Sequence, residues 1–292
     1  MRVPLSYLYV KNKLLTIEDA RLPEELLSLL LDAPSYENFT DEDLAKFPSQ
    51  IRSYLYSWEL VFASYPNASY KVRNDYSEVL RSENYISPLL DFLFDVLGHS
   101  AGQPLNLDKA NFTSEHIQSY DELSAQSDGG ERNIQWLLIN LYYLCLKFAP
   151  GLAKNWWMNC KSKQTRIAVE SWTEKYFSPL VIADALDEVA NWNGRQEPES
   201  EDEKELIVKV SKNSREVYAG CEIDDMQIKI VIRLPATYPL EGVKVDGINR
   251  VAVSEKRWQS WLMTTQGVIT FSVCPPLPLC FGTKYFPLLA PY

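Results

Sequence analysis

Histidine, cysteine and glycine are all scarce in these 292 residues, and each shortage closes off a class of chemistry. The two histidines, His99 and His116, stand apart from each other and from any useful cysteine, so each reads as a loop or cap residue and not as a metal ligand. The 11 glycines form no phosphate-cradling loop, and neither an HExxH helix nor a paired-cysteine zinc spacing occurs. Five cysteines, odd in number and scattered, give no disulfide framework and fit a reducing compartment. Cys145 and Cys221 fall on apolar faces and read as core residues. Cys274 and Cys280 lie in a proline-rich tail, five residues between them, and a metal site there needs two more ligands that the neighbourhood lacks. No catalytic and no metal-binding residue is expected.

Long apolar runs are missing as well. The longest, Ile134 to Phe148, carries Gln135, Asn140 and Lys147 and falls short of the ~20 residues of a membrane span, so it reads as a buried helix. The opening MRVPLSYLYVKNKLL is too soon interrupted to be a secretory signal. The sequons at Asn38, Asn67 and Asn111 then read as chance matches, and a cytosolic location without a membrane partner is expected. A basic excess is lacking too. The formal charge of −10 argues against a chain that coats nucleic acid by bulk electrostatics.

What is present suits a soluble protein of roughly two domains, 46% hydrophobic and 23% charged. Lys and Arg against Asp and Glu count to −13 over residues 1–205, +2 over 206–272 and +1 beyond. From residue 22 to about 190 the pattern is helical. Pro23 starts PEELLSLLL, and Thr40 before Asp41, Glu42 and Asp43 is a helix start. Ile51, Tyr54, Leu55, Trp58, Phe62 and Tyr65 form a stripe ended by Pro66. Further helices hold Tyr76, Val79 and Leu80, then Ile86 to Leu97 with Gly98 as cap. Residues Ser100 to Arg132 read as a long loop or insertion. Ile134–Phe148 follows, with two more helical segments, one around Trp156 and one from Gln164 to Val189. Short breaks between helices suit a solenoid, with an irregular bundle as the alternative. The acidic stretch 193–205 has nothing apolar to bury and reads as a solvated linker.

Residues 206–272 change period. Leu206, Val208 and Val210, then Val217, Ala219, Cys221 and Ile223, then Met226, Ile228, Ile230, Ile232 and Leu234 recur every second residue, as strands with one buried face do. Polar breaks at Lys212-Asn213-Ser214 and Asp224-Asp225 suit hairpins, so a three-stranded antiparallel meander is expected, stopped by Pro235 and Pro239. Val243 to Val245 and Val251 to Val253 are short strand candidates either side of a turn at Asp246-Gly247. Ser254 then caps a helix whose Trp258, Trp261, Leu262 and Thr265 share a face toward the sheet. The fold class is α+β overall: helices over 1–192, a linker over 193–205, a small meander-and-helix domain over 206–272, and a proline-rich tail over 273–292.

LPATYPL, with Tyr238 and Pro239, resembles the Tyr-Pro loop of RWD domains, relatives of ubiquitin-conjugating enzymes. The longer string REVYAGCEIDDMQIKIVIRLPATYPLEGVKVDGINRVAVSEKRWQSWL resembles the listerin family, RING-type ubiquitin ligases of ribosome-associated quality control. Asn155-Trp156-Trp157 and Thr173-Glu174-Lys175-Tyr176 are similar to the listerin region just before its RWD domain. The resemblance is specific from about Asn155 to Phe271 and looser before. It implies that residues 1–192 are HEAT-like helix pairs, the last of a long array, whose first helices expose an apolar face where a neighbour would stack.

In that family a further helix and a zinc-binding RING follow the RWD domain and recruit the charged conjugating enzyme. This sequence leaves the pattern after about Phe271-Ser272 and ends in VCPPLPLCFGTKYFPLLAPY. No cofactor and no ligase activity of the chain alone are therefore expected. Kinship with conjugating enzymes raises Cys221 and Cys274 as thioester nucleophiles. Cys221 lies on an apolar row that disfavours a thiolate, and no His-Pro-Asn precedes Cys274, so a catalytically dead relative is the reading. The resemblance instead implies binding, to the large ribosomal subunit near the nascent-chain exit and to other quality-control subunits. Lys209, Lys212, Arg215, Lys229, Arg233, Arg250, Lys256 and Arg257 are the expected contacts, since phosphates need only charge and reach. Trp258 and Trp261 read as core. The alternative is a generic RWD interaction module with no ribosomal role.

Overall fold

A computed structural model describes residues 21–127, 129–193, 206–223, 226–250 and 253–271. The acidic stretch expected as a linker, the proline-rich tail, Cys274 and Cys280 fall largely or wholly outside these residues.

Local chemistry sets the first helices. After α1 (Glu24–Leu30), Thr40 opens α2 (Asp41–Ala45) with a reciprocal cap: its Oγ1 accepts the Asp43 N–H at 3.2 Å, and the Asp43 carboxylate accepts the Thr40 N–H at 3.1 Å. The stripe from Ile51 lies on α3 (Ser49–Ala63), and its Ile51, Leu55, Trp58, Val61 and Phe62 are fully buried. Ser69 caps α4 (Tyr70–Ser82), which buries Tyr76 and Leu80 while Val79 is exposed. α5 (Ile86–Val96) ends as Gly98 predicts. With φ at +79°, Gly98 donates to the Asp95 carbonyl at 3.1 Å and His99 to that of Phe94 at 2.9 Å, the paired bonds of a Schellman stop.

The stretch expected as a loop is structured. It holds α6 (Ser114–Gln118) and α7 (Glu122–Ser127) and buries Leu107, Phe112, Ile117 and Ala125. Helices this short carry too few apolar residues to show a period; their stability comes from a neighbour. That neighbour is α8 (Gly130–Phe148). Its Trp136 indole N–H donates to the carbonyls of His116 at 2.8 Å and Ser119 at 2.9 Å, and Asn140 Nδ2 donates to that of Ile117 at 3.0 Å. Asn140, one of the polar residues that interrupt the longest apolar run, thus helps anchor a structured arm. α8 touches α2, α3, α5, α6, α7, α9 and α11, and so is the axle of the helical region.

Pro150, in the first turn of α9 (Pro150–Asn159), turns the chain by 107° from α8. The helical segment expected from Gln164 to Val189 is two helices, α10 (Lys163–Tyr176) and α11 (Ser178–Asn193). Pro179 is the cause: it has no N–H to give and its ring crowds the carbonyl four residues back. Around the break, Trp172 lies 4.6 Å from Phe177 and 4.7 Å from His99 between ring centroids, and Tyr142 lies 4.9 Å from Phe177. At the other end of the helical region, Leu29 of α1 and Leu31, just past its end, are exposed.

The meander is as expected, with a longer fourth strand. β1 (Leu206–Ser211), β2 (Glu216–Ile223), β3 (Met226–Arg233) and β4 (Lys244–Asn249) form one antiparallel sheet in that order. β4 runs straight through Asp246-Gly247, where a turn is expected from sequence; a register irregularity at Lys229/Ile230 takes up the offset. Gly247 serves close approach instead of turning, because a Cβ there would collide with the Trp258 indole of α12 (Glu255–Phe271). Trp258, Thr265 and Ile269 of α12 are buried. Gln266 fixes the helix to β4, its side-chain amide accepting the Val245 N–H at 3.0 Å and donating to the Val243 carbonyl at 2.9 Å. The sheet meets the helical region where α11 touches β1 and where Lys154 Nζ lies beside Gly242.

Candidate functional site

The eight basic residues expected as contacts fall in three places. Lys209, Lys229 and Arg233 share the sheet face turned away from α12. Lys209 pairs with Tyr218 and Tyr218 with Val231, whereas Trp258 lies on the face of Gly247 and Ile230. Here Lys229 Nζ sits 4.8 Å from the Tyr218 ring centroid. The Tyr218 hydroxyl donates to Glu216 at 2.5 Å and Arg233 Nε donates to Glu216 at 2.8 Å, while Arg233 also pairs with Asp246. The Tyr218 bond first, then those from Arg233 and Ser214, hold the Glu216 carboxyl down at about 2. Beneath this polar layer Val231 is fully buried.

Lys212 and Arg215 occupy the turn between β1 and β2. Arg215 has φ at +55°, and its carbonyl accepts the Leu234 N–H at 2.9 Å, which ties the hairpin to the end of β3. Lys212 reaches across to the helical region and pairs with Asp187 Oδ1 of α11 at 2.5 Å. Arg250, Lys256 and Arg257 lie at the opposite end of the strands, since β4 runs from Lys244 beside Arg233 to Asn249 beside Lys229. Six residues of strand separate the two ends by about 20 Å. Arg250 pairs with Glu255, and the Arg257 guanidinium lies 5.2 Å from the Trp261 ring centroid.

Lys212, Arg233 and Arg250 are thus neutralised by carboxylates, whereas Lys209, Arg215 and Lys256 are exposed with none among the described residues. Lys244, exposed and opposite Arg233, belongs with them although sequence reasoning passed over it. Its place in the outward row would have marked it, had β4 been read at its full length. Tyr238 and Pro239 are both buried in the crossing from β3 to β4, where Tyr238 donates to the Pro235 carbonyl at 3.2 Å and Leu240 to that of Thr237 at 3.0 Å. Their part is structural.

Groups that could do covalent chemistry are placed otherwise. Burial pushes the Cys145 thiol up to about 12, and Cys221 lies within β2, paired with Leu206 and Ile228. No cluster of three or more His, Cys, Asp or Glu fit for a metal ion occurs among the described residues. His116 is a cap, its Nδ1 accepting the Thr113 N–H at 3.1 Å. His99 caps α5 only through its backbone. Its ring is fully buried, 4.8 Å from Phe94, and burial pushes its pKa down to about 4.

Residues 6–190 match the family model described as LTN1 family HEAT repeat region, and residues 206–272 match one described as Ubiquitin conjugating domain-like. The chain belongs to the listerin family. The E3 ubiquitin-protein ligase listerin of Neurospora crassa is 53% identical over 263 residues, covering 90% of this chain and 16% of that protein. Listerin of Schizosaccharomyces pombe is 31% identical over 255 residues, or 86% of this chain and 15% of its own length. That of Saccharomyces cerevisiae is 26% identical over 250 residues, with shares of 86% and 16%. The chain therefore spans about a sixth of the length of these listerins. The two matched segments correspond to the helices through α11 and to the sheet with α12.

Proposed function

We propose that this chain is the ribosome-docking segment of a listerin-type E3 ubiquitin ligase. It holds the ligase on the large ribosomal subunit near the nascent-chain exit, where the whole protein ubiquitinates stalled chains together with a conjugating enzyme and the other quality-control subunits. The observation that carries this reading is the 53% identity to a listerin across 90% of the chain, helices and sheet together. The sheet domain, read as an RWD domain, acts as a binding surface. Its outward positions offer Lys209 and Arg215 to phosphate. The protein works in the cytosol on this reading.

Co-sedimentation with purified large subunits tests it. The wild-type chain is expected to pellet at low salt, and a Lys209→Glu, Arg215→Glu variant with an unchanged circular dichroism spectrum is expected to stay largely in the supernatant. Both substitutions are at exposed positions, so the fold should be retained. A folded wild-type chain that stays in the supernatant at low salt overturns the docking role and leaves a generic protein-interaction module. Pelleting that does not weaken as salt rises would mean an apolar interface.

A further inference from the structure

We infer that the turn between α9 and α10 is a second anionic-ligand surface of this chain, and that its ligand is the phosphate backbone of RNA. The first observation is one of charge. Residues 148–169 contain Lys154, Lys161, Lys163 and Arg166 and no Asp or Glu, inside a region, 1–205, that counts to −13. An acid-free run of that length stands out against a chain with 39 acidic residues in 292.

The second observation is geometric. The Trp157 indole N–H, on the last turn of α9, donates to the Arg166 carbonyl of α10 at 3.1 Å and so pins the two helices at their junction. Ser162 opens α10, its Oγ accepting the Thr165 N–H at 3.2 Å. Lys163 and Arg166 are neighbours at i, i+3 on α10, and Lys161 precedes them in the turn, with Lys161 and Lys163 both exposed. Lys154 stands at helical spacing from Trp157 and Met158 on one side of α9, Lys161 follows two residues past the end of the helix at Asn159, and the five residues of helix after Lys154 alone rise about 8 Å. Cations strung over such a length suit a continuous polyanion better than a single phosphate. Met158 is 52% and Ile167 50% exposed beside them, giving the row an apolar shoulder for sugar or base.

The third observation concerns availability. Among the basic residues of the sheet domain, Lys212 is engaged with Asp187, Arg233 with Glu216 and Asp246, and Arg250 with Glu255, while Lys209, Arg215, Lys244 and Lys256 have no carboxylate partner among the described residues. None of Lys154, Lys161, Lys163 and Arg166 has a carboxylate partner among the described residues. The acidic groups near these residues include Glu241, exposed next to Gly242 and accepting the Thr237 hydroxyl at 2.8 Å. Asp91 of α5 is held by the Trp156 indole at 2.8 Å, and Glu170 and Glu174 lie one and two turns further along α10. At 0.1 M salt the screening length is about 10 Å, so the net negative charge of the distant helices does not cancel the turn. Lys154 Nζ also lies beside Gly242 of the sheet domain, so the basic row reaches the junction between the two regions. That RNA is the polyanion rests on the ribosome reading above.

The test is fluorescence anisotropy of the whole chain with a labelled 20-base-pair double-stranded RNA, over a salt series. A Lys161→Glu, Lys163→Glu variant is expected to bind at least tenfold more weakly at low salt, with the slope of log affinity against log salt shallower by about 2. The milder Lys161→Gln, Lys163→Gln variant is expected to fall between, which guards against a loss through misfolding. Equal RNA affinity of wild type and both variants overturns the inference, as does binding to phosphatidylserine vesicles without binding to RNA. Subunit co-sedimentation separates this inference from the docking role. RNA binding lost in the turn variant, with no pelleting by the wild type, sinks ribosome docking alone. Pelleting that the turn variant retains in full, with unchanged RNA affinity, sinks the turn alone.

Discussion

A single buried imidazole sets a pH dependence for the helical region. His99 is fully enclosed beside Phe94 and Trp172, and burial pushes its pKa down from 6.5 to about 4. The folded chain therefore binds fewer protons than the unfolded chain between those values, and stability is full above pH 6.5 and falls as pH drops toward 4. The shift corresponds to roughly 3 kcal/mol, since each pKa unit is worth about 1.4 kcal/mol. In urea unfolding, a His99→Phe variant is expected to lose about that much less stability than wild type on going from pH 7 to pH 4. Equal losses would mean the ring is not the titrating group. From sequence His99 reads as a loop or cap residue, because no partner ligand is near. The burial does not show there, because a polar residue just after a capping glycine looks like loop until Trp172, 73 positions away, closes over it.

At the scale of elements, legibility followed the length of the repeating pattern. The period-two rows of β1 to β3 and the stripe of α3 are long enough to declare themselves. α6 and α7 are 5 and 6 residues and are held by side chains of α8, so nothing local announces them. The break between α10 and α11 was legible in Pro179, and the apolar residues on both sides hid it. Gly247 was misleading for a physical reason: glycine permits turns, but it also permits a ring to press on a strand. A Gly247→Ala substitution tests which use applies. The added methyl meets the Trp258 indole, so α12 must shift off β4, and a loss of about 1–3 kcal/mol is expected in thermal or chemical unfolding. An unchanged midpoint would show that α12 does not rest there. Among the basic residues, the sequence revealed which were outward but not which were paired, since partners such as Lys212 and Asp187 come from different elements.

For the molecule as a whole, the relation between helices and sheet is carried by few contacts, and the Lys212–Asp187 pair is one. Both side chains are more than half exposed, at 61% and 52%, so the bridge contributes under about 1 kcal/mol. A double-mutant cycle of Lys212→Ala and Asp187→Ala is expected to give a coupling near the low end, shrinking further in 0.5 M salt. A coupling above 2 kcal/mol would instead make the bridge a rigid hinge pin. Overall charge is legible at once, while the acid-free stretch 148–169 at α9 and α10 is hidden within the −13 of residues 1–205. One further feature bears on how such a chain survives in a crowded cell. A sheet of four strands has two outer margins, and an unguarded margin invites strands of other copies to zip on and start fibrous aggregates. At the start of β4 the side-chain amide of Gln266 already occupies the Val245 N–H and the Val243 carbonyl, a donor and an acceptor that an incoming backbone would need. A single glutamine on a covering helix thus stands where a misassembled neighbour would begin.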